Sequence, residues 1–148
     1  MFRGRFEHAI DDKGRLSIPA KFRDALTNSF APPLYLTVSL DTESLVAYPF
    51  DEWRVLEAKI EALPAFDPKA QRFRRAFYAP AQECPLDRSG RVLVPPTLRD
   101  YAGLERNVVL AGIGKRFEIW DRDRYQAMIN EVMENPAAIA ADMGELGL

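Results

Sequence analysis

The stretch "DDKGRLSIPAKFRD" at residues 11–24 is written again as "DRSGRVLVPPTLRD" at residues 87–100, a constant offset of 76 that aligns all fourteen positions without a gap. Asp11/Asp87, Gly14/Gly90, Arg15/Arg91, Pro19/Pro95, Arg23/Arg99 and Asp24/Asp100 are identical pairs, while Leu16/Val92, Ile18/Val94 and Phe22/Leu98 stay apolar. Such a repeat favours two small related units over one ordinary domain, and 148 residues suffice for them.

Within each copy the pattern reads as strand, turn, strand and short helix. Phe6, His8 and Ile10 alternate before the turn "DDKG", and Leu16 and Ile18 alternate after it, which predicts a β-hairpin with Arg15 and Ser17 on its outer face. Aspartate bonds nearby backbone amides and glycine accepts positive φ, so "DDKG" has turn chemistry. Pro19 and Pro95 are expected at the first helical position, with Phe22, Ala25 and Leu26 on one face and Gly103 ending the second helix.

Further strands follow, "PLYLTVS" and "SLVAYPF" in the first copy and "NVVLAG" and "RFEIW" in the second. Then come two amphipathic helices that each need something to pack on: "DEWRVLEAKIEAL", with Trp53, Leu56, Ile60 and Leu63, and "DRDRYQAMINEVM", with Tyr125, Met128, Ile129 and Val132. Here the offset has fallen to 72, which places four extra residues in the first copy, most simply around "TNSFAPP". Between the copies, "FDPKAQRFRRAFYAP" starts a helix at Asp67 and Pro68 and carries Lys69, Arg72 and Arg75 as a basic stripe, read as a solvated face or a phosphate contact. The tail "ENPAAIAADMGELGL" is acidic and expected to be loosely held. The expected organisation is therefore 1–63, first repeat with its helix; 64–80, basic linking helix; 81–133, second repeat with its helix; and 134–148, acidic tail.

Composition narrows the function classes. At 47% hydrophobic and 28% charged the chain can bury a core. A single cysteine, Cys84, allows no intramolecular disulfide and no cysteine-rich metal site, and reads as a packing residue in a reducing compartment. No apolar run approaches a membrane span, and the arginines of "MFRGRFEHAI" interrupt any signal-peptide core, so a cytoplasmic location is expected. Net charge is −2, but residues 117–148 hold seven acids and two bases, leaving residues 1–116 with eighteen bases and fifteen acids.

An Asp-x-x-x-Arg spacing across a tight turn brings the two side chains close enough to pair, which explains Asp11, Asp87 and the glycines structurally. It leaves Arg3, Arg5 and Lys13, expected near Arg15 on the same hairpin, without a purpose; a basic patch there suits phosphates, and arginine also fits guanine edges in the major groove. Each aspartate would then hold its arginine in one rotamer.

The segments "MFRG", "DDKGRLSIPAKFR", "DRSGRVLVP", "YPFDEW" and "KRFEIWD" together resemble the MraZ family of bacterial transcriptional regulators over nearly the whole chain. The resemblance implies an α+β, β-rich fold of two tandem swapped-hairpin, SpoVT-AbrB-like β-barrel repeats forming a pseudo-dimer, with short packing helices. It also implies a ring-like homo-oligomer that binds double-stranded DNA at short direct repeats upstream of the cell-division and cell-wall operon, its own gene included. Repression is the usual effect, at the nucleoid, with no cofactor, metal, membrane or small-molecule substrate. The family's D-x-x-x-R signature falls on Asp11/Arg15 and Asp87/Arg91 and its basic N-terminal hairpin on Arg3 and Lys13. With Arg5, and with Arg88 in place of Asp12, these give the candidate DNA-contacting set Arg3, Arg5, Lys13, Arg15, Arg88 and Arg91, positioned by Asp11, Gly14, Asp87 and Gly90. Because Lys13 becomes Ser89, the two hairpins are not expected to contact DNA equivalently.

Two other readings compete with this one. An enzyme is disfavoured: Asp11 and Asp12 are adjacent and diverge on a strand, His8 has no partner at metal-ligand spacing, and "GIGKRF" at 112–117 lacks the P-loop spacing and reads as a hairpin turn. A protein-interaction module of antitoxin-like type, without DNA binding, remains the alternative.

Overall fold

A computed structural model describes residues 1–28 and 33–148. The strands are β1 (Arg5–Ala9), β2 (Arg15–Ser17), β3 (Leu34–Val38), β4 (Leu45–Pro49), β5 (Gln82–Cys84), β6 (Arg91–Leu93), β7 (Asn107–Gly112) and β8 (Phe117–Asp121). The helices are α1 (Ala20–Asn28), α2 (Phe50–Glu61), α3 (Pro68–Phe73), α4 (Pro96–Ala102), α5 (Arg122–Val132) and α6 (Pro136–Glu145), with a π-helical turn at Arg74–Tyr78. The fold is α+β and rich in antiparallel sheet. The insertion expected around "TNSFAPP" falls mainly on residues outside those described.

The two repeats are interleaved. A six-stranded sheet runs β1-β7-β8-β4-β3-β5 and a separate ribbon pairs β2 with β6. The first strand of each copy thus joins a hairpin of the other: β1 lies on β7 and β5 on β3. This corrects the expected hairpin at residues 6–18, whose arms share the Ile10–Leu16 bridge and a 2.6 Å hydrogen bond between His8 Nδ1 and the Ser17 carbonyl while β1 pairs with β7 and β2 with β6. The turn is local and forms as read; what the strands pair with is decided by apolar burial far along the chain.

Alternation sorts the side chains as the sequence requires. Leu16, Ile18, Val92 and Val94 are all but fully buried, in a core shared with Phe2, Phe22, Leu98, Leu110 and Phe117. Phe22 packs edge-on against Phe2 and Phe6 at ring separations of 5.3 and 5.2 Å. Pro19 and Pro95 stand just before their helices and not at the first helical position; Pro96 takes that place in α4, and Gly103 ends it at φ 61°. Cys84 is buried in this core, which pushes its thiol up to about 11.

A second, aromatic cluster lies between α2 and the linking helix. Trp53 stacks on Tyr35, Phe77 and Tyr78 at 5.4, 6.1 and 6.0 Å. Asp67 caps α3 by accepting from the Lys69 amide, as its sequence position suggests. The π-helical turn then widens the last coil, and the buried Thr37 hydroxyl donates to the Phe77 carbonyl at 2.6 Å. Leu63, expected on the packed face of α2, lies beyond the helix end and is exposed. The acidic tail forms α6, capped by Asn135, with no buried residue. Among the described residues no helix is long and apolar enough to cross a membrane.

Candidate nucleic-acid interface

The two D-x-x-x-R turns have the same construction. In the first, Asp11 Oδ1 accepts the amides of Lys13 and Arg15, both at 2.9 Å, and Oδ2 accepts Arg15 Nε at 2.7 Å. In the second, Asp87 Oδ1 accepts the amides of Ser89 and Arg91 at 2.8 and 2.9 Å, and Oδ2 accepts Arg91 Nε at 3.0 Å. Gly14 and Gly90 hold φ of 82° and 74°, which only glycine adopts without strain, and their amides close the turns onto Asp11 and Asp87. The Arg15 amide is the main reason the Asp11 carboxyl lies below the usual range; the Arg91 amide acts likewise on Asp87. Both carboxylates therefore stay charged opposite their arginines.

Pairing of β2 with β6 joins the turns into one surface. Gly14's carbonyl accepts the Val94 amide, and Gly90's accepts the Ile18 amide, each at 2.9 Å. Leu16 and Val92 point into the core, so Arg15, Ser17, Arg91 and Leu93 share the opposite, outer face of the ribbon. Arg15 lies across from Leu93 and Arg91 across from Ser17, a diagonal that sets the two arginine positions about 7–8 Å apart. Arg91 Nη1 also approaches Asp11 Oδ2, at 4.0 Å, so the first aspartate faces both arginines. Each aspartate uses the Nε edge of its own arginine. The Arg15 terminal nitrogens make no hydrogen bond among the described residues and remain available to a ligand.

Of the expected contact residues the fold brings Lys13, Arg15, Arg88 and Arg91 to this ribbon and its turns, with Asp11, Gly14, Asp87 and Gly90. Arg3 and Arg5 are not there. β1 runs along β7, placing Arg5 opposite Ala111 and the Arg3 backbone against Gly112, beside the far β7–β8 turn. At about 3.3 Å of rise per residue, Arg5 stands some 16 Å from Ile10, where the first turn begins. Five extended residues hold Arg5 away from Arg15 whether or not the two arms pair, so the expected placement beside Arg15 is corrected for Arg3 and Arg5.

Arg23 and Arg99, repeated in the sequence but not among the expected site residues, complete the turns. Arg23 Nη1 donates to the Ser89 carbonyl at 3.4 Å and its guanidinium lies over Gly90, while the Arg99 guanidinium lies over Gly14. Each repeat thus braces the other's turn. Their identity at the 76-residue offset was the available signal, and nothing in the local sequence says that the partner is in the other copy. Beside the second turn, Arg23, Leu26, Pro33, Leu86 and Arg88 line an open cleft of about 660 Å³.

Comparison with known proteins agrees with the two-fold internal pattern. The family model of the MraZ protein, described as antitoxin-like, matches twice, at residues 1–76 and 77–144. The chain is 43% identical over 148 residues to the transcriptional regulator MraZ of Desulfitobacterium hafniense (strain DSM 10664 / DCB-2) and 42% identical over 148 residues to that of Ligilactobacillus salivarius, covering all of both chains in each case. It is 46% identical over 135 residues to the transcriptional regulator MraZ of Lactiplantibacillus plantarum, covering 91% of this chain and 92% of that one.

Proposed function

This chain belongs to the MraZ family, and we propose that it is a sequence-specific DNA-binding transcriptional regulator that reads DNA with the outer face of the β2–β6 ribbon. The observation that carries the reading is the pair of aspartate-braced arginines, Arg15 and Arg91, on one face of a two-stranded ribbon, each turn bound to the end of the other repeat's strand. A β-ribbon has the dimensions of the major groove, and an arginine held by its Nε edge still offers two terminal nitrogens to guanine O6 and N7 or to phosphate. Bracing before contact lowers the entropy lost on binding. Lys13 and Arg88 supply phosphate contacts at the turn tips, and exposed Leu93 offers an apolar surface to a thymine methyl. Because Ser17 and Leu93, and likewise Lys13 and Ser89, occupy matching places, the two halves read different bases. Arg3 and Arg5 lie outside that contact.

The repeats act as a swapped-hairpin pseudo-dimer with the divisions given above. Several copies, assembled in a ring, engage several short direct repeats upstream of the operon for cell division and cell-wall synthesis, and repress it. Assembly offsets the modest charge of one ribbon, since later contacts form at high effective concentration. The test is anisotropy of a labelled duplex carrying the chain's own upstream region against a scrambled duplex, over a salt series. Preference for the native duplex with a steep fall in salt supports the reading; equal weak binding to both removes it. The antitoxin-like description of the family favours one other reading, a protein-binding module, which that second outcome would bring forward.

A further inference from the structure

The helices that follow the two sheet hairpins match at an offset of 72, setting Trp53 against Tyr125, Leu56 against Met128 and Ile60 against Val132. Their surroundings do not match. After α2 the chain folds back as α3 and the π-helical turn, covering Trp53 with Phe77 and Tyr78 and leaving Ile60 3% exposed. After α5 it runs on into α6 instead. α5 has no fully buried residue, Val132 is 39% and Met133 58% exposed, and α6 buries nothing either. A ten-residue helix without packing is marginal in water, so the α5–α6 face calls for a cover from outside the chain.

Charge selects the cover. Residues 131–148 carry Glu131, Glu134, Asp142 and Glu145 and no lysine or arginine, so pairing this face with its own copy sets acid against acid. Lys69, Arg72 and Arg75, three residues apart along the linking helix, are exposed and have no ionic partner among the described residues. Phe66, just before them, is 92% exposed. We propose that the apolar, acidic α5–α6 face of one copy docks on the basic stripe of the linking helix of a second copy, with Phe66 as the apolar anchor. The contact uses two different surfaces of the chain, so it propagates head to tail and closes into a ring if the rotation permits. It rests on the assembly part of the proposed function, names the surfaces, and concerns a contact that forms without DNA.

The experiment is native mass spectrometry and sedimentation of the full chain, DNA-free, on two charge-inverted variants. One is Lys69→Glu/Arg72→Glu/Arg75→Glu and the other Glu131→Lys/Glu134→Lys/Asp142→Lys. Each alone is expected to associate at least about tenfold more weakly than the parent, because both of its surfaces then carry one sign, and an equal mixture is expected to restore assembly, since each variant complements the other. Restoration also shows that both variants fold. Cross-linking between a Phe66→Cys chain and a Met133→Cys chain, absent when both cysteines replace exposed residues elsewhere, gives a second reading that needs no charge change. A monomeric parent, or variants that assemble as the parent does, overturns the proposal. Loss of assembly with DNA specificity retained, or the reverse, separates this contact from the ribbon's role.

Discussion

Leu16 lies directly opposite Val92, the residue that holds its own place in the other repeat. The same is true of Val46 and Glu118, which match at the later offset of 72 and pair in the middle of the six-stranded sheet. A pseudo-twofold axis therefore passes through both pairs, and the two D-x-x-x-R turns are its images of each other. A single chain presents what a symmetric dimer would present, with the freedom to make the halves different.

Replacing Arg15 or Arg91 with alanine is expected to weaken binding to the specific duplex by about 1–3 kcal/mol each, roughly 5- to 150-fold. Thermal stability should hardly change, because the ion pairs lost are partly exposed. Anisotropy titrations beside thermal melts check both halves of the statement. Lys13→Ala, by contrast, should weaken specific and scrambled duplexes alike and reduce the salt slope by about 1.

Asp11 and Asp87 impose a pH dependence whose sign follows from their lowered carboxyls. A folded value below the unfolded one, about 3.9, means stability that is fully present above that pH and is lost as pH falls through the folded values. Melting temperature should accordingly fall below about pH 4 in the parent, and Asp11→Asn/Asp87→Asn should flatten that part of the curve. A parent and variant that descend in parallel would contradict the assignment.

At Gly90 a β-carbon meets both a left-handed backbone and the Arg23 guanidinium. Gly90→Ala is expected to lose about 1–2 kcal/mol from the backbone alone. Arg23→Ala should recover only the additional steric part, so a double-mutant cycle read by denaturant melts should show coupling between positions 67 residues apart in sequence.

Trp53→Ala should be far more damaging than Tyr125→Ala, although the two residues match. Trp53 is buried among four aromatic neighbours and its loss is expected to remove about 3–5 kcal/mol, whereas Tyr125 has Trp120 alone, at 5.5 Å, as an aromatic neighbour among the described residues. Calorimetric melts of the two variants give the comparison directly.

What could be read in the sequence was what neighbours in sequence determine. Asp11 and Gly14 announce a turn that their own amides and carboxylate close, and the spacing of Trp53, Leu56 and Ile60 announces a helix. Partner choice was hidden. Nothing near Arg15 says that β2 pairs with residues 91–93, or that β1 runs along β7 and sets Arg3 and Arg5 beside the far β7–β8 turn. Arg23 and Arg99 repeat visibly, but their role is hidden for the same reason, since each acts on a glycine in the other copy. Repetition itself misled at α5, because matching sequences suggested matching burial while the chain covers only the first of the two helices.

The most direct test of the account is the affinity of Arg15→Ala/Arg91→Ala for the duplex carrying the chain's own upstream region, measured beside the parent and against a scrambled duplex at several salt concentrations. The account expects the parent to prefer the native duplex and the double variant, still folded, to bind both duplexes equally and weakly. A double variant that keeps the parent's preference would contradict it, and the β2–β6 ribbon would not be the surface that reads DNA.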